Sequence, residues 1–138
     1  MIYTIQHNLG QERLWNLFTT NEFTEKWLAT ESNINWKKNG RVKVIVEPGT
    51  HEVKGCKIVE FEPFKSLRFT WKGPEDFDIT MNFEDYLTHI TVTFNNQNLV
   101  LDHDGWRSSE DWQEAKKWHE NIFWPNKIAK LSDLLKEQ

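Results

Sequence analysis

The chain has 138 residues, 38 % of them hydrophobic and 14 % aromatic, including eight Trp and nine Phe. That length fits one domain, residues 1–138, with a core burying about two-thirds of the unfolded surface. A net charge of −4 and Lys and Arg that are scattered, apart from pairs such as Lys37-Lys38 and Lys116-Lys117, leave no basic stripe for nucleic acid.

Ile2 to His7 alternates weakly and suits a first strand. Asn8 with Gln11 three residues later has the form of a capping box, which predicts a helix from near Gly10 with Leu14, Trp15 and Phe18 inward. Asn21 is a second candidate cap, ahead of a short helix carrying Phe23, Trp27 and Leu28. From Ile34 the period changes to two, and Val42, Val44 and Val46 alternate with Lys43, Ile45 and Glu47. Glu47-Pro48-Gly49-Thr50 places Pro and Gly as a tight turn requires, so a hairpin to a strand from His51 is expected. Gly55 interrupts that strand, and the apolar phase beyond it is ambiguous between Ile58 and Val59-Phe61. A bulge near Gly55 resolves the ambiguity and bends the sheet.

Leu67, Phe69 and Trp71 form the next inward row, and Lys72 to Asp76 reads as a loop. Phe77, Ile79, Met81 and Phe83 alternate with Asp78, Thr80, Asn82 and Glu84 and predict a further strand. Ile90, Val92 and Phe94, then a turn at Asn95 to Asn98, then Leu99, Leu101 and His103 complete the pattern. Six or seven consecutive strands without an intervening helix imply an antiparallel sheet with one apolar face that needs a cover.

The cover is the last third, Trp106 to Leu135, which reads as one long helix. Trp112, Ala115, His119 and Ile122 share one stripe; beyond Pro125, Ile128, Leu131, Leu134 and Leu135 make a second. At about 100° per residue the stripes lie roughly 140° apart on a straight rod, so a kink or break at Pro125 is expected. The fold class is thus α+β, a curved antiparallel sheet wrapped around a long C-terminal helix, with two short helices after the first strand.

Three stretches sharpen this: Phe-Thr-Glu-Lys-Trp at 23–27, Gly-Cys-Lys-Ile-Val-Glu-Phe-Glu-Pro-Phe-Lys-Ser-Leu-Arg-Phe-Thr-Trp at 55–71, and Leu101-Asp-His-Asp-Gly105. They resemble the pattern of the START/Bet v 1-like superfamily, in the Hsp90-ATPase-activator homologue-like branch, over nearly the whole chain. Two departures stand out. The paired glycines usual before the second strand are reduced to Asn39-Gly40, and the Gly-Trp usual inside the terminal helix appears as Phe123-Trp124-Pro125. The resemblance implies the helix-grip fold and an apolar central cavity for a small hydrophobic molecule, or, as in the larger co-chaperones, a protein-contact surface. It implies no shared catalytic set.

The expected cavity lining is Trp36, Val44, Val53, Phe69, Trp71, Met81, Val92, Leu101, His103, Trp112, Ala115, His119 and Ile122. His103 and His119 approach one space from opposite walls. Each is read first as a buried side chain bonded to a backbone carbonyl, and second as a group orienting the polar end of a ligand. The five histidines show neither His-x-x-x-His nor Cys-x-x-Cys spacing, so no metal and no cofactor is expected. No carboxylate is placed inward by its period, and Ser108 and Ser109 lack a nucleophile elbow. The leading expectation is therefore non-catalytic binding of a small apolar or aromatic molecule. A chaperone-regulating interaction module is the alternative, and a cyclase- or hydrolase-type cavity enzyme the third reading. The lone Cys56, the lack of a signal region and the lack of a long apolar run point to a cytoplasmic protein.

Overall fold

The computed structural model describes residues 1–138. Strand β1 (Ile2–Gln6) is followed by helices α1 (Gln11–Phe18) and α2 (Asn21–Trp27), then β2 (Glu31–Ile34), β3 (Arg41–Glu47), β4 (His51–Glu62) and β5 (Ser66–Trp71). A helical excursion around the short α3 (Asp78–Met81) leads to β6 (Thr88–Phe94) and β7 (Asn98–Asp104), and α4 (Glu110–Trp118) and α5 (Trp124–Lys136) end the chain. The strands make one antiparallel sheet in the order β1-β7-β6-β5-β4-β3-β2.

Alternation decides which face is buried. Val42, Val44 and Val46, then Ile90, Val92 and Phe94, then Leu99, Leu101 and His103 point into the core. The bulge expected near Gly55 is present: Val42 pairs with Cys56 but Val44 with Val53, and Gly55 takes φ +77. A second irregularity near Val59 moves the apolar phase from Ile58, fully buried, to the half-buried Phe61. Cys56 beside the first bulge is 3 % exposed, and burial pushes its thiol up to about 11. Asn39, where a glycine is usual, takes the left-handed φ of 65 that Asn tolerates.

Local caps depart from the sequence reading. Gly10, with φ +80 and no side-chain cap, precedes α1, and Gln11 donates instead to the Phe64 carbonyl. Thr20, not Asn21, caps α2 by accepting from the Phe23 N–H. Asn21 ties α2 to β2, donating to Ile34 O and accepting from Ile34 N and Ser32 Oγ.

The strand expected over 77–83 does not form. That stretch is a 3-10 turn followed by α3, with a second 3-10 turn at Glu84–Tyr86. The reason is that neither flanking strand has an open edge. β5 and β6 pair directly from Ser66–Thr93 to Trp71–Thr88, and their outer edges are already taken by β4 and β7. Asn82 closes the excursion, accepting from Gly73 N at 2.8 Å and donating to Gly73 O at 2.9 Å. The seventh strand is β2.

No break occurs at Pro125. The terminal helix is continuous, and a π turn at His119–Phe123, closed by Trp124 N–H to the His119 carbonyl, joins α4 to α5. One extra residue in a turn sets back every later side chain by about 100°, most of the offset between the two stripes. Trp112, Ala115 and His119 are buried as expected, but the place due to Ile122 is filled by Phe123. Ile122 is 59 % exposed and Phe123 4 %. Pro125 directly follows the π turn, in the first turn of α5. Through Phe123, Trp124, Leu131 and Leu135, α5 joins the main core.

Candidate functional site

The concave side of the sheet, α1 and α2 enclose a void of about 20 Å³. That is space for one water, whereas pockets for small organic molecules run to about 300–1,000 Å³. Of the residues expected to line a cavity, Trp36, Phe69, Val92 and Leu101 meet at this void. Phe18, Thr24, Trp27, Leu28, Ile34, Val42 and Ile58 complete its wall; the helical spacing of Phe18, Trp27 and Leu28 and the strand alternation of Val42 were the signals for them. Val44, Val53 and Trp71 are packed in the main core. Met81, Trp112 and Ala115 form a separate small cluster with Phe77 and Trp106. The void's wall carries unpartnered donors: the buried indole N–H groups of Trp27 and Trp36 have no hydrogen-bond acceptor.

His103 and His119 do come together, with ring centroids 5.3 Å apart. Trp124 Nε1 donates to His103 Nδ1 at 2.9 Å, so the ring proton sits on Nε2, which donates to Thr88 Oγ1 at 2.8 Å. His119 Nδ1 donates to the Ala115 carbonyl at 2.8 Å, which leaves Nε2 a bare, buried lone pair. Trp124 is 1 % exposed and orients His103. His51, at the start of β4, donates from Nε2 to the Lys72 carbonyl and packs on Trp71 and Phe123. Burial pushes His51 and His119 down to about 4 and His103 well below the usual histidine value, with neighbouring His119 adding to the last shift. These imidazoles are neutral scaffold. No inward carboxylate stands beside them to complete an acid–base pair.

Two features lie outside. A groove of about 550 Å³ runs beside the π turn, walled by Val46, Trp118, Ile122 and Phe123, with His51, Glu47, Asn121, Asn126 and Lys127 around it. Ile122 thus faces this groove and not the interior. Lys127 is half-buried there, 5.8 Å from the Phe123 ring, and burial lowers its pKa. On the excursion between β5 and β6, Ile79, Phe83 and Tyr86 are 84 %, 52 % and 44 % exposed. They share a cleft of about 260 Å³ with Thr80, Arg107, Ser109, Asp111 and Trp112.

A seven-stranded antiparallel sheet gripping a long terminal helix, with two short helices after the first strand, defines a helix-grip domain of the START/Bet v 1-like class. Within that class the chain belongs to the family described as activator of Hsp90 ATPase homolog 1-like protein, whose profile matches residues 8–134. No curated protein matches it by sequence. Among solved structures it is similar to a protein from Mesorhizobium loti, at 21 % identity and TM-score 0.77, over 100 % of this chain and 97 % of that one. It is similar to the Aha1 dimer from Colwellia psychrerythraea at 18 % identity and TM-score 0.71, over 98 % and 94 % of the two chains. An HSP90 activator from Plasmodium falciparum matches at 18 % identity and TM-score 0.70, over 99 % and 95 %. At these identities the likeness is one of fold.

Proposed function

We propose that this domain works by contacting another protein, with a chaperone of the Hsp90 class as the first candidate. The observation that carries the reading is the filled interior. Trp71, Trp124, Phe94 and Leu101 are fully buried in the main core, and the void between the sheet, α1 and α2 is about 20 Å³. An interaction module has no use for an internal guest and needs apolar surface outside, which Ile79, Phe83 and Tyr86 supply. Family membership supports the chaperone as partner. The test mixes the purified chain with the Hsp90-class chaperone of its own organism. A complex in sedimentation and a saturable rise in ATP turnover are expected; no complex and no rise would remove this chaperone as partner.

A second reading is favoured by the groove beside the π turn, where a half-buried lysine free of any ion pair adjoins the Trp118 and Phe123 walls. It has the volume for a small apolar molecule, the ligand class first expected for this chain. Native mass spectrometry of freshly purified protein decides it. A retained small molecule, lost on Phe123→Ala in a variant verified as folded, supports the groove; a mass equal to the bare chain from several preparations removes it.

A further inference from the structure

We propose that the excursion between β5 and β6 is a docking surface for a basic amphipathic segment of a partner protein. This rests on the reading that the domain contacts proteins, and adds where it does so and to what chemistry. The apolar part is preorganised. Met81, fully buried against Trp112 and Ala115, and the paired hydrogen bonds between Asn82 and Gly73 fix α3 from beneath. A helical turn held in that way presents Ile79 outward, and Phe83 and Tyr86 follow as an edge-to-face pair with centroids 6.3 Å apart. Surface so apolar and so firmly held needs a reason other than packing, since its own core residue is Met81 alone.

Charge identifies the occupant. Glu75, Asp76, Asp78, Glu84 and Asp85 interleave with the apolar residues, and all five are exposed. Only Glu84 meets a cation, Lys72 at 3.8 Å, and Asp111 adds a further carboxylate to the cleft wall. The cleft's one base, Arg107, lies with its guanidinium carbon 4.2 Å above the Tyr86 ring. A cation on an aromatic face, in a cleft that Asp111 also lines, is therefore already accommodated here. A partner segment bearing Leu- or Phe-type anchors flanked by Lys or Arg matches both halves of the surface. An acidic segment or an anionic membrane is repelled by it.

The probe is a labelled helical peptide of Lys and Leu, with a Glu and Leu peptide of equal length as its counterpart. Binding to the full chain is read by fluorescence anisotropy at low and moderate salt. The Lys/Leu peptide is expected to bind the parent chain, more weakly as salt rises. The double change Ile79→Ser with Phe83→Ser and the triple change Glu75→Gln, Asp76→Asn, Asp85→Asn are each expected to weaken it about tenfold or more. The same loss of charge elsewhere, Glu12→Gln with Glu22→Gln and Glu137→Gln, should leave it within about twofold. All the altered residues are exposed, so folding is retained, as circular dichroism verifies. No binding by the parent chain, equal binding by the surface variants, or equal binding of the Glu/Leu peptide would each overturn the proposal. So would a self-association of the parent chain that Ile79→Ser with Phe83→Ser abolishes, which makes a second copy the occupant. Failure here is separable from failure of the chaperone reading. A chaperone stimulated equally by parent and surface variant overturns the location and leaves the reading, whereas peptide binding lost in the variants without chaperone stimulation supports the surface and removes that chaperone.

Discussion

At the residue scale, the tryptophan and histidine content decides how the interior is closed. His103 accepts from the Trp124 indole and donates to Thr88, while the Trp106 indole donates to the His103 carbonyl. Each bond is individually modest, but a partner left unpaired in a dry interior costs more than the bond contributes. Trp124→Phe removes one donor and part of a fully buried ring system, so it strands the His103 lone pair and leaves a small void. A loss of about 1–3 kcal/mol in urea unfolding is expected, with an unchanged slope against denaturant. A loss below about 0.5 kcal/mol would show that His103 finds another donor. The inward position of His103 and His119 was legible from alternation and helical spacing. Their hydrogen-bond partners were not, because Trp124 lies 21 residues and Thr88 15 residues away in sequence, and no local pattern encodes such a meeting.

At the element scale, the terminal helix and the 75–86 excursion show two ways in which periodicity misleads. Two stripes out of phase were correctly seen across Pro125, but phase alone does not say whether a rod breaks or takes in an extra residue. The chain takes in the residue, and the register of everything after His119 follows from it. Ile122→Ser should therefore change stability by less than about 0.5 kcal/mol, while Phe123→Ala should cost about 3–5 kcal/mol. Chemical denaturation of the two variants checks this, and the reverse order would restore the uninterrupted stripe. In the excursion, the alternation of Phe77, Ile79, Met81 and Phe83 satisfies a strand on paper. A strand also needs an unoccupied neighbour, and the direct pairing of Trp71 with Thr88 leaves none. The count reaches seven because β2, a four-residue strand too short to assert itself by pattern, takes the place of the one that failed.

For the whole molecule, three neutral imidazoles buried together set a dependence on acidity. In the fold burial holds His51 and His119 down to about 4 and His103 well below its usual value, whereas in the unfolded chain each ionises near 6.5. Below that value the unfolded chain binds protons that the folded chain refuses, so the full stability present above pH 6.5 is lost as the medium is acidified towards 4. Each group contributes up to about 1.4 kcal/mol per pH unit, so His51 and His119 together remove about 3 kcal/mol between pH 7.5 and 5.5, and His103 acts in the same direction. Against a typical total of about 5–15 kcal/mol, that is a large fraction. Urea midpoints across this range check it; a flat profile would mean that the imidazoles are protonated within the fold. The fold class and nearly the whole inward face could be read from the residues. The fate of the central cavity could not, because whether large rings line a space or fill it depends on how closely α1, α2 and α5 settle on the sheet.

The bulge at Gly55 has a practical consequence through its neighbour. Cys56 is sealed at the seam of β3 and β4 and held as the unreactive thiol. An alkylating reagent can therefore mark only those molecules in which that seam has parted, and the lone sulfur becomes a tally of how often the gripping sheet lets go, read one irreversible adduct at a time.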